Sequence, residues 1–183
     1  MSTLYLIRHG KTPANEAHLY CGSTDLPLSE GGRAELKALS YDIHPERILT
    51  SGMVRTEETL QILFGDIPHE TDREFREIDF GAFEMKSYEE LKEDPAYLAW
   101  ITGDNDNNVP PNGESGNQMR ARVMTALKEV LDREEDTLIV THGGVIAMIL
   151  ETFFPEAGLN RYQWQPKPGH GYEISESGCR EIP

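Results

Sequence analysis

Short runs of apolar, β-branched residues alternate along the chain with longer stretches in which apolar positions recur every three or four residues. The first pattern marks buried strands and the second amphipathic helices, so their alternation predicts an α/β fold. TLYLIR (Thr3 to Arg8), RILT (Arg47 to Thr50) and TLIVT (Thr137 to Thr141) read as strands, with a shorter one over Pro68 to Thr71. Ser29 caps a helix running to about Leu39, with Leu36 and Leu39 turned inward. A second helix, Val54 to Phe64, collects Leu60, Leu63 and Phe64 on one face. Gln118 to Asp132 carries Met119, Val123, Leu127, Val130 and Leu131 at helical spacing, and a further helix spans Val145 to Phe153. Tyr162 to Gln165 and Tyr172 to Ile174 read as closing edge strands, and no internal repeat points to a solenoid. The predicted architecture is a three-layer α/β/α sandwich around a mostly parallel sheet.

Asp72 to Glu84 shows neither period and reads as irregular loop. Ser87 then caps YEELKED, and Pro95 begins another helical turn through Tyr97, Leu98 and Trp100, predicting a cover outside the sheet. Thr102 to Gly116 is rich in Gly, Asn, Asp and Pro; a loop of that length in a compact domain is usually functional, so a lid is expected there. The 183 residues are expected to form a single domain, 1–183, with this helical cover and loop at about 85–116.

Charge narrows the choice of ligand. With 17 Lys+Arg against 32 Asp+Glu the formal charge is -15, which repels nucleic acid and anionic membranes at long range. Any phosphate must therefore be held by a local basic pocket. No run approaches the roughly 18 apolar residues of a membrane span, and MSTLYLIRHG lacks a basic region followed by a long apolar stretch, so the expected location is cytoplasmic. Cys21 and Cys179 are too few for a disulfide framework and are expected as free thiols.

His9 follows TLYLIR and His142 follows TLIVT, each trailed by glycine. In a parallel sheet the carboxyl ends of the strands face one edge, so two such histidines meet in the crevice where ligands bind. Gly10, Gly143 and Gly144 allow backbone and helix N-termini to approach an anion. Phosphoryl transfer needs fixed cations for the equatorial oxygens, an in-line nucleophile and an acid for the leaving oxygen. Arg8 adjoins His9, and Arg55 opens the helix after RILT; both suit paired donation to phosphate. Glu77 is the candidate acid, with Asp79 and Glu84 as substitutes on the same loop. Zinc on His9 and His142 is disfavoured by the arginines and the lack of a third ligand. Asp104, Asp106 and Asn108 imitate the start of a calcium loop, but Val109 and Ser115 stand where its glycine and glutamate are due. No metal and no cofactor are called for.

LIRHGKTPAN (Leu6 to Asn15), SGMVRTEET (Ser51 to Thr59), EIDFGAFE (Glu77 to Glu84), PNGES (Pro111 to Ser115) and VTHGG (Val140 to Gly144) together resemble the histidine phosphatase superfamily, in the branch containing cofactor-dependent phosphoglycerate mutase. The resemblance implies a phosphoglycerate mutase-like fold, with His9 as the phosphorylated nucleophile in a pocket formed by Arg8, Arg55 and His142. It implies Glu77 as the general acid, Asn15 as a phosphate contact, Cys21 and Gly22 beside the substrate, and a less defined role for Glu114 and Ser115. His9 must be neutral to attack, with its second ring nitrogen held by a backbone carbonyl, whereas His142 is expected to favour the charged form beside phosphate. The short form with DFGAFE resembles α-ribazole phosphatases and broad-specificity phosphatases. The leading expectation is a phosphomonoesterase for a small phosphorylated metabolite, acting as a monomer or homodimer. Phosphoglycerate mutase and a non-catalytic phospho-ligand binder are the alternatives. Phe83, Tyr88, Tyr97 and Trp100 are expected to offer a stacking surface.

Overall fold

The computed structural model describes residues 2–104 and 106–183. Its strands are β1 (Leu4–Arg8), β2 (Arg47–Thr50), β3 (Glu70–Thr71), β4 (Thr137–Thr141), β5 (Gly171–Ser175) and β6 (Gly178–Ile182). The helices are α1 (Pro13–Glu16), α2 (Glu30–Lys37), α3 (Val54–Phe64), α4 (Tyr88–Leu91), α5 (Pro95–Thr102), α6 (Gly116–Leu131), α7 (Gly143–Phe153) and α8 (Arg161–Trp164).

The strands form one six-stranded sheet in the order β3-β2-β4-β1-β5-β6. Strands β1 and β2 both run parallel to β4, and β3 parallel to β2, while β5 and β6 form an antiparallel edge. Side chains alternate across the sheet, and the two faces are visible in the packing. Leu4, Leu6, Leu49 and Ile139 pack with α6 and α7, while Ile7, Leu138 and Val140 pack with Leu60, Leu63 and Phe64 of α3. Strand β4 is buried at every position, as expected of a strand covered on both faces.

The register Arg8↔Thr141 and Thr50↔Val140 brings the carboxyl ends of β1, β4 and β2 to one edge. His9, Ser51 and His142 follow those ends directly. Over this edge lies a separate aromatic cluster built on Phe83, Leu91 and Tyr97, joined by Tyr20, Phe80 and Trp100. Among the described residues no helix is long and apolar enough to cross a membrane.

Two expectations are corrected. Tyr162 to Gln165 is not an edge strand: Asn160 caps Tyr162 and Gln163, whose side chain returns to the Asn160 N–H, and this reciprocal box starts α8. Phe83 and Tyr97 offer no stacking surface, because at 1% and 2% exposure they fill the core of the aromatic cluster.

Candidate active site

A cavity of about 210 Å³ opens at the shared strand edge, lined by Arg8, His9, Asn15, Cys21, Arg55, Glu77 and Gly143 among others. Its floor is tied to the sheet, since the His9 N–H donates to Thr141 O at 3.0 Å. His9 Nδ1 donates to Gly10 O at 2.7 Å, so Nδ1 carries the proton and Nε2 keeps its lone pair. Gly10 is itself fixed: its N–H donates to Thr59 Oγ1 (2.9 Å), and the Thr59 hydroxyl donates to Arg55 O (2.7 Å). Burial, then the positive charges of Arg55 and Arg8, push the His9 pKa well below its ordinary value. His9 is therefore held neutral, with the Nε2 lone pair available.

His142 packs edge-on against His9 with ring centroids 5.1 Å apart. It is fully buried, and its Nε2 lies 2.8 Å from Ser51 Oγ. The Thr56 hydroxyl donates to Met53 O (2.7 Å), which leaves Thr56 Oγ1 to accept from Ser51 across 3.3 Å and Ser51 Oγ to accept from His142. This hydroxyl chain assigns the proton to Nε2. Nδ1 is buried with no protein partner. The charged form is expected only beside phosphate; in the protein alone burial first, then Arg55 and His9, push the His142 pKa well below the ordinary value. Only an anion brought against it opposes that push.

Arg8 donates through Nη1 to Pro166 O (2.8 Å), and its Nε is buried without a protein partner. Gly143 keeps this contact open, since a Cβ there would stand 3.0 Å from Arg8 Nε. Arg55 is 1% exposed and uses Nη1 and Nη2 on Thr24 O and Gly22 O, both at 2.8 Å. It thus charges the cavity and fastens the 21–24 segment beside it. Asn15 accepts at Oδ1 from the Thr12 N–H (2.9 Å) and hydroxyl (3.1 Å), leaving its NH₂ as the donor end. Gly22 stands behind the lining: a Cβ would fall 1.7 Å from Ile78 O. Cys21 lines the cavity, but burial raises its pKa more than Arg55 lowers it, so proximity to arginine does not activate the thiol.

Of the three acidic candidates only Glu77 lines the cavity. Its Oε2 accepts the Gly144 N–H at the start of α7, and its Oε1 the Ile78 N–H, both at 3.0 Å. A Cβ on Gly144 would stand 2.5 Å from Oε1, so glycine there admits the carboxyl. Glu84 instead gathers the N–H groups of Gly22, Ser23 and Phe80 and the hydroxyls of Ser23 and Thr24. Asp79 accepts from Ser23 Oγ and the Gly81 N–H. Both are anchors of the loop.

Sequence reasoning missed the groups that hold these pieces in place. Arg122 of α6 donates to the carbonyls of Glu74, Arg76 and Glu77 and pairs with Glu114 at 2.7 Å. Ser115 caps α6. These contacts give Glu114 and Ser115 a structural place outside the cavity lining. Thr12, Tyr20, Phe80 and Gln165 also line the cavity.

Among the described residues no group of three or more His, Cys, Asp or Glu is placed to hold a metal ion. Comparison with known proteins agrees with the geometry. The chain is 35% identical over 176 residues to an adenosylcobalamin/alpha-ribazole phosphatase of Salmonella typhimurium, spanning 91% of this chain and 86% of that one. The alpha-ribazole phosphatase of Shigella flexneri superimposes with a TM-score of 0.83 at 27% identity, covering 98% of this chain and 94% of the other. A phosphoglycerate mutase of Thermus thermophilus superimposes at 0.77 with 27% identity, covering 99% and 96%. Residues 4–176, which carry every strand end and side chain of the cavity, match the histidine phosphatase superfamily (branch 1), and the chain belongs to that family.

Proposed function

We propose that the protein is a phosphomonoesterase that passes the phosphoryl group of a small metabolite through His9 Nε2 to water. The observation that carries this reading is His9 itself, neutral, with Nδ1 donated to Gly10 O and Nε2 free beside Arg8 and Arg55. In the first step Nε2 attacks phosphorus and the ester P–O bond breaks, while Glu77 gives its proton to the leaving oxygen. In the second, Glu77 takes a proton from the attacking water, the P–N bond breaks, and His9 returns to its neutral form. Arg8, Arg55 and the amide of Asn15 steady the phosphoryl oxygens, and His142, taking a proton on Nδ1 as the phosphate dianion arrives, donates to one of them.

The substrate we assign is α-ribazole 5'-phosphate, the substrate class named for the Salmonella and Shigella relatives. Mutase chemistry on phosphoglycerates needs cations for a carboxylate and a second phosphate. Between Met85 and Pro110 the only bases are Lys86 and Lys92, and Lys92 is paired with Glu89 at 2.6 Å. A single-turnover experiment with ³²P-labelled ester in excess chelator tests the reading. Label should appear on the protein as acid-labile phosphohistidine and be lost in His9→Ala. Undiminished turnover by His9→Ala, or turnover that stops with chelator, refutes it.

A further inference from the structure

Arg55 stands in the wall of the His9 cavity, yet its bonds to the protein run away from it, to Gly22 O and Thr24 O at 2.8 Å. Its guanidinium is therefore fixed only as well as the 22–24 segment is. That segment belongs to no helix or strand. It is held from its other side by one carboxylate: Glu84 accepts from the N–H groups of Gly22 (2.9 Å) and Ser23 (2.8 Å) and from the Thr24 hydroxyl (2.8 Å). Gly22 thus gives its N–H to an acid and its C=O to a base, an arrangement in which each bond polarises and strengthens the next.

The surrounding backbone is shaped to allow this. A Cβ on Gly22 would stand 1.7 Å from Ile78 O and 2.9 Å from Glu84 Oε1, so glycine is what lets the carboxylate reach the segment. Directly after Glu84 the chain turns through Met85 at φ +60°, a left-handed conformation that a residue other than glycine keeps only where its surroundings over-determine it. They do so here: the Met85 N–H donates to Tyr20 O at 2.7 Å, and the Tyr20 N–H donates to Lys86 O at 3.0 Å. Residues 84–86 are thereby locked against the chain one residue before Cys21.

Glu84 does not line the cavity, but its charge reaches the wall. Burial and then Glu84 raise the Cys21 pKa against the opposing pull of Arg55. By Coulomb's law alone, a carboxylate at that place repels an incoming anion. Its position and its charge therefore pull phosphate affinity in opposite directions, and the sign of the net effect is measurable.

We propose that Glu84 is a positioning residue for phosphate: through the peptide groups of 22–24 it sets where the Arg55 guanidinium stands, and phosphate binds more tightly because of this acid. The inference rests on the phosphatase reading above only in placing phosphate in the His9 cavity.

Calorimetric titration with inorganic phosphate at about pH 7.5 tests it. Glu84→Gln keeps the side-chain size, removes the negative charge and turns an NH₂ group toward donors that need an acceptor. Direct electrostatics predicts tighter binding, whereas the clamp predicts binding weaker by about 10- to 150-fold, the range of one charged hydrogen bond. Asp79→Asn removes a like charge from the same loop but meets the segment only through the exposed Ser23 hydroxyl, and should bind phosphate no more weakly than the unmodified protein. The His9 ring gives a second readout, because burial and then Arg55 depress its pKa. With Arg55 displaced, that ring should titrate at higher pH by NMR in the folded Glu84→Gln protein; loss of a negative charge by itself would move it lower. A purely structural role would lower stability in urea and leave both readouts of the folded protein unchanged. If Glu84→Gln does not fold, Thr24→Val removes one donor while keeping Thr24 O for Arg55, and should shift both readouts in the same directions by less. Unchanged or tighter phosphate binding in the folded variant, or an equal loss in Asp79→Asn, overturns the proposal. Failure of the phosphatase reading is separate: no phosphohistidine would form, while Glu84→Gln still weakened phosphate.

Discussion

Replacing Ser51 by alanine removes one oxygen and leaves the His142 Nε2–H, held at 2.8 Å in a fully buried site, without an acceptor. A buried donor stripped of its partner costs about 1–3 kcal/mol, and the cavity left by one hydroxyl is too small to admit water in compensation. At 1.4 kcal/mol per decade this corresponds to roughly a 5- to 150-fold fall in the folding constant. The effect on turnover should be of similar size, because the imidazole loses the contact that fixes its tautomer and the direction of Nδ1. Thr56→Val removes the next link, a 3.3 Å contact, together with the donation to Met53 O, but leaves the His142–Ser51 bond in place, so it should lose less kcat. Urea unfolding gives the stability change, and kcat on a slow alkyl phosphate gives the catalytic one. A Ser51→Ala protein with undiminished kcat and an unaltered pH profile would refute the role given to this hydroxyl chain. So would a Thr56→Val protein with a lower kcat than Ser51→Ala.

Glu77→Gln should lower kcat by about 10²- to 10⁴-fold on alkyl phosphates and much less on p-nitrophenyl phosphate, whose leaving group departs without a proton; equal losses would remove the acid assignment. His9 and His142 have folded pKa values depressed below the unfolded value of about 6.5, so as pH falls through 6.5 the unfolded chain binds protons that the native one refuses. Stability is then full above about pH 6.5 and should fall by about 1.4 kcal/mol per pH unit for each below it, a slope measurable by urea unfolding at pH 7.5, 6.5 and 5.5. In the same range NMR should find both rings neutral, whereas His69, raised by its bond to Ile67 O and by Glu57, titrates at higher pH. Arg122→Met deprives three carbonyls and Glu114 of their shared donor and should cost about 2–4 kcal/mol, with kcat falling more than KM rises; unchanged kcat would separate that anchor from the acid.

Elements with long, regular apolar spacing were legible from sequence. The bounds of α3 are those its pattern predicts, and the cores of β1, β2, β4, α6 and α7 follow theirs. The short ones were not: α1 has four residues and is defined by the reciprocal Thr12–Asn15 cap, while β6 is an edge strand whose Arg180 and Glu181 break any apolar alternation. Arg8, His9, Arg55 and His142 were recoverable because strand ends converge in a parallel sheet. Ser51 was not, because the bond that gives it meaning joins residues 91 positions apart. Phe83 and Trp100 belong to one aromatic cluster, and nothing in the sequence distinguishes the buried ring from the half-buried one.

The two halves of the site differ in how they are built. The half around His9 hangs on the carboxyl ends of β1, β2 and β4, where opening requires breaking the central sheet. The other half rests on Tyr20, Phe80, Trp100 and the four-residue α8, segments that lie outside any strand. Such segments tolerate substitution and insertion while the sheet does not. On the proposed mechanism, the chemistry and the choice of substrate can therefore change separately: short surface segments can be rewritten without retuning His9.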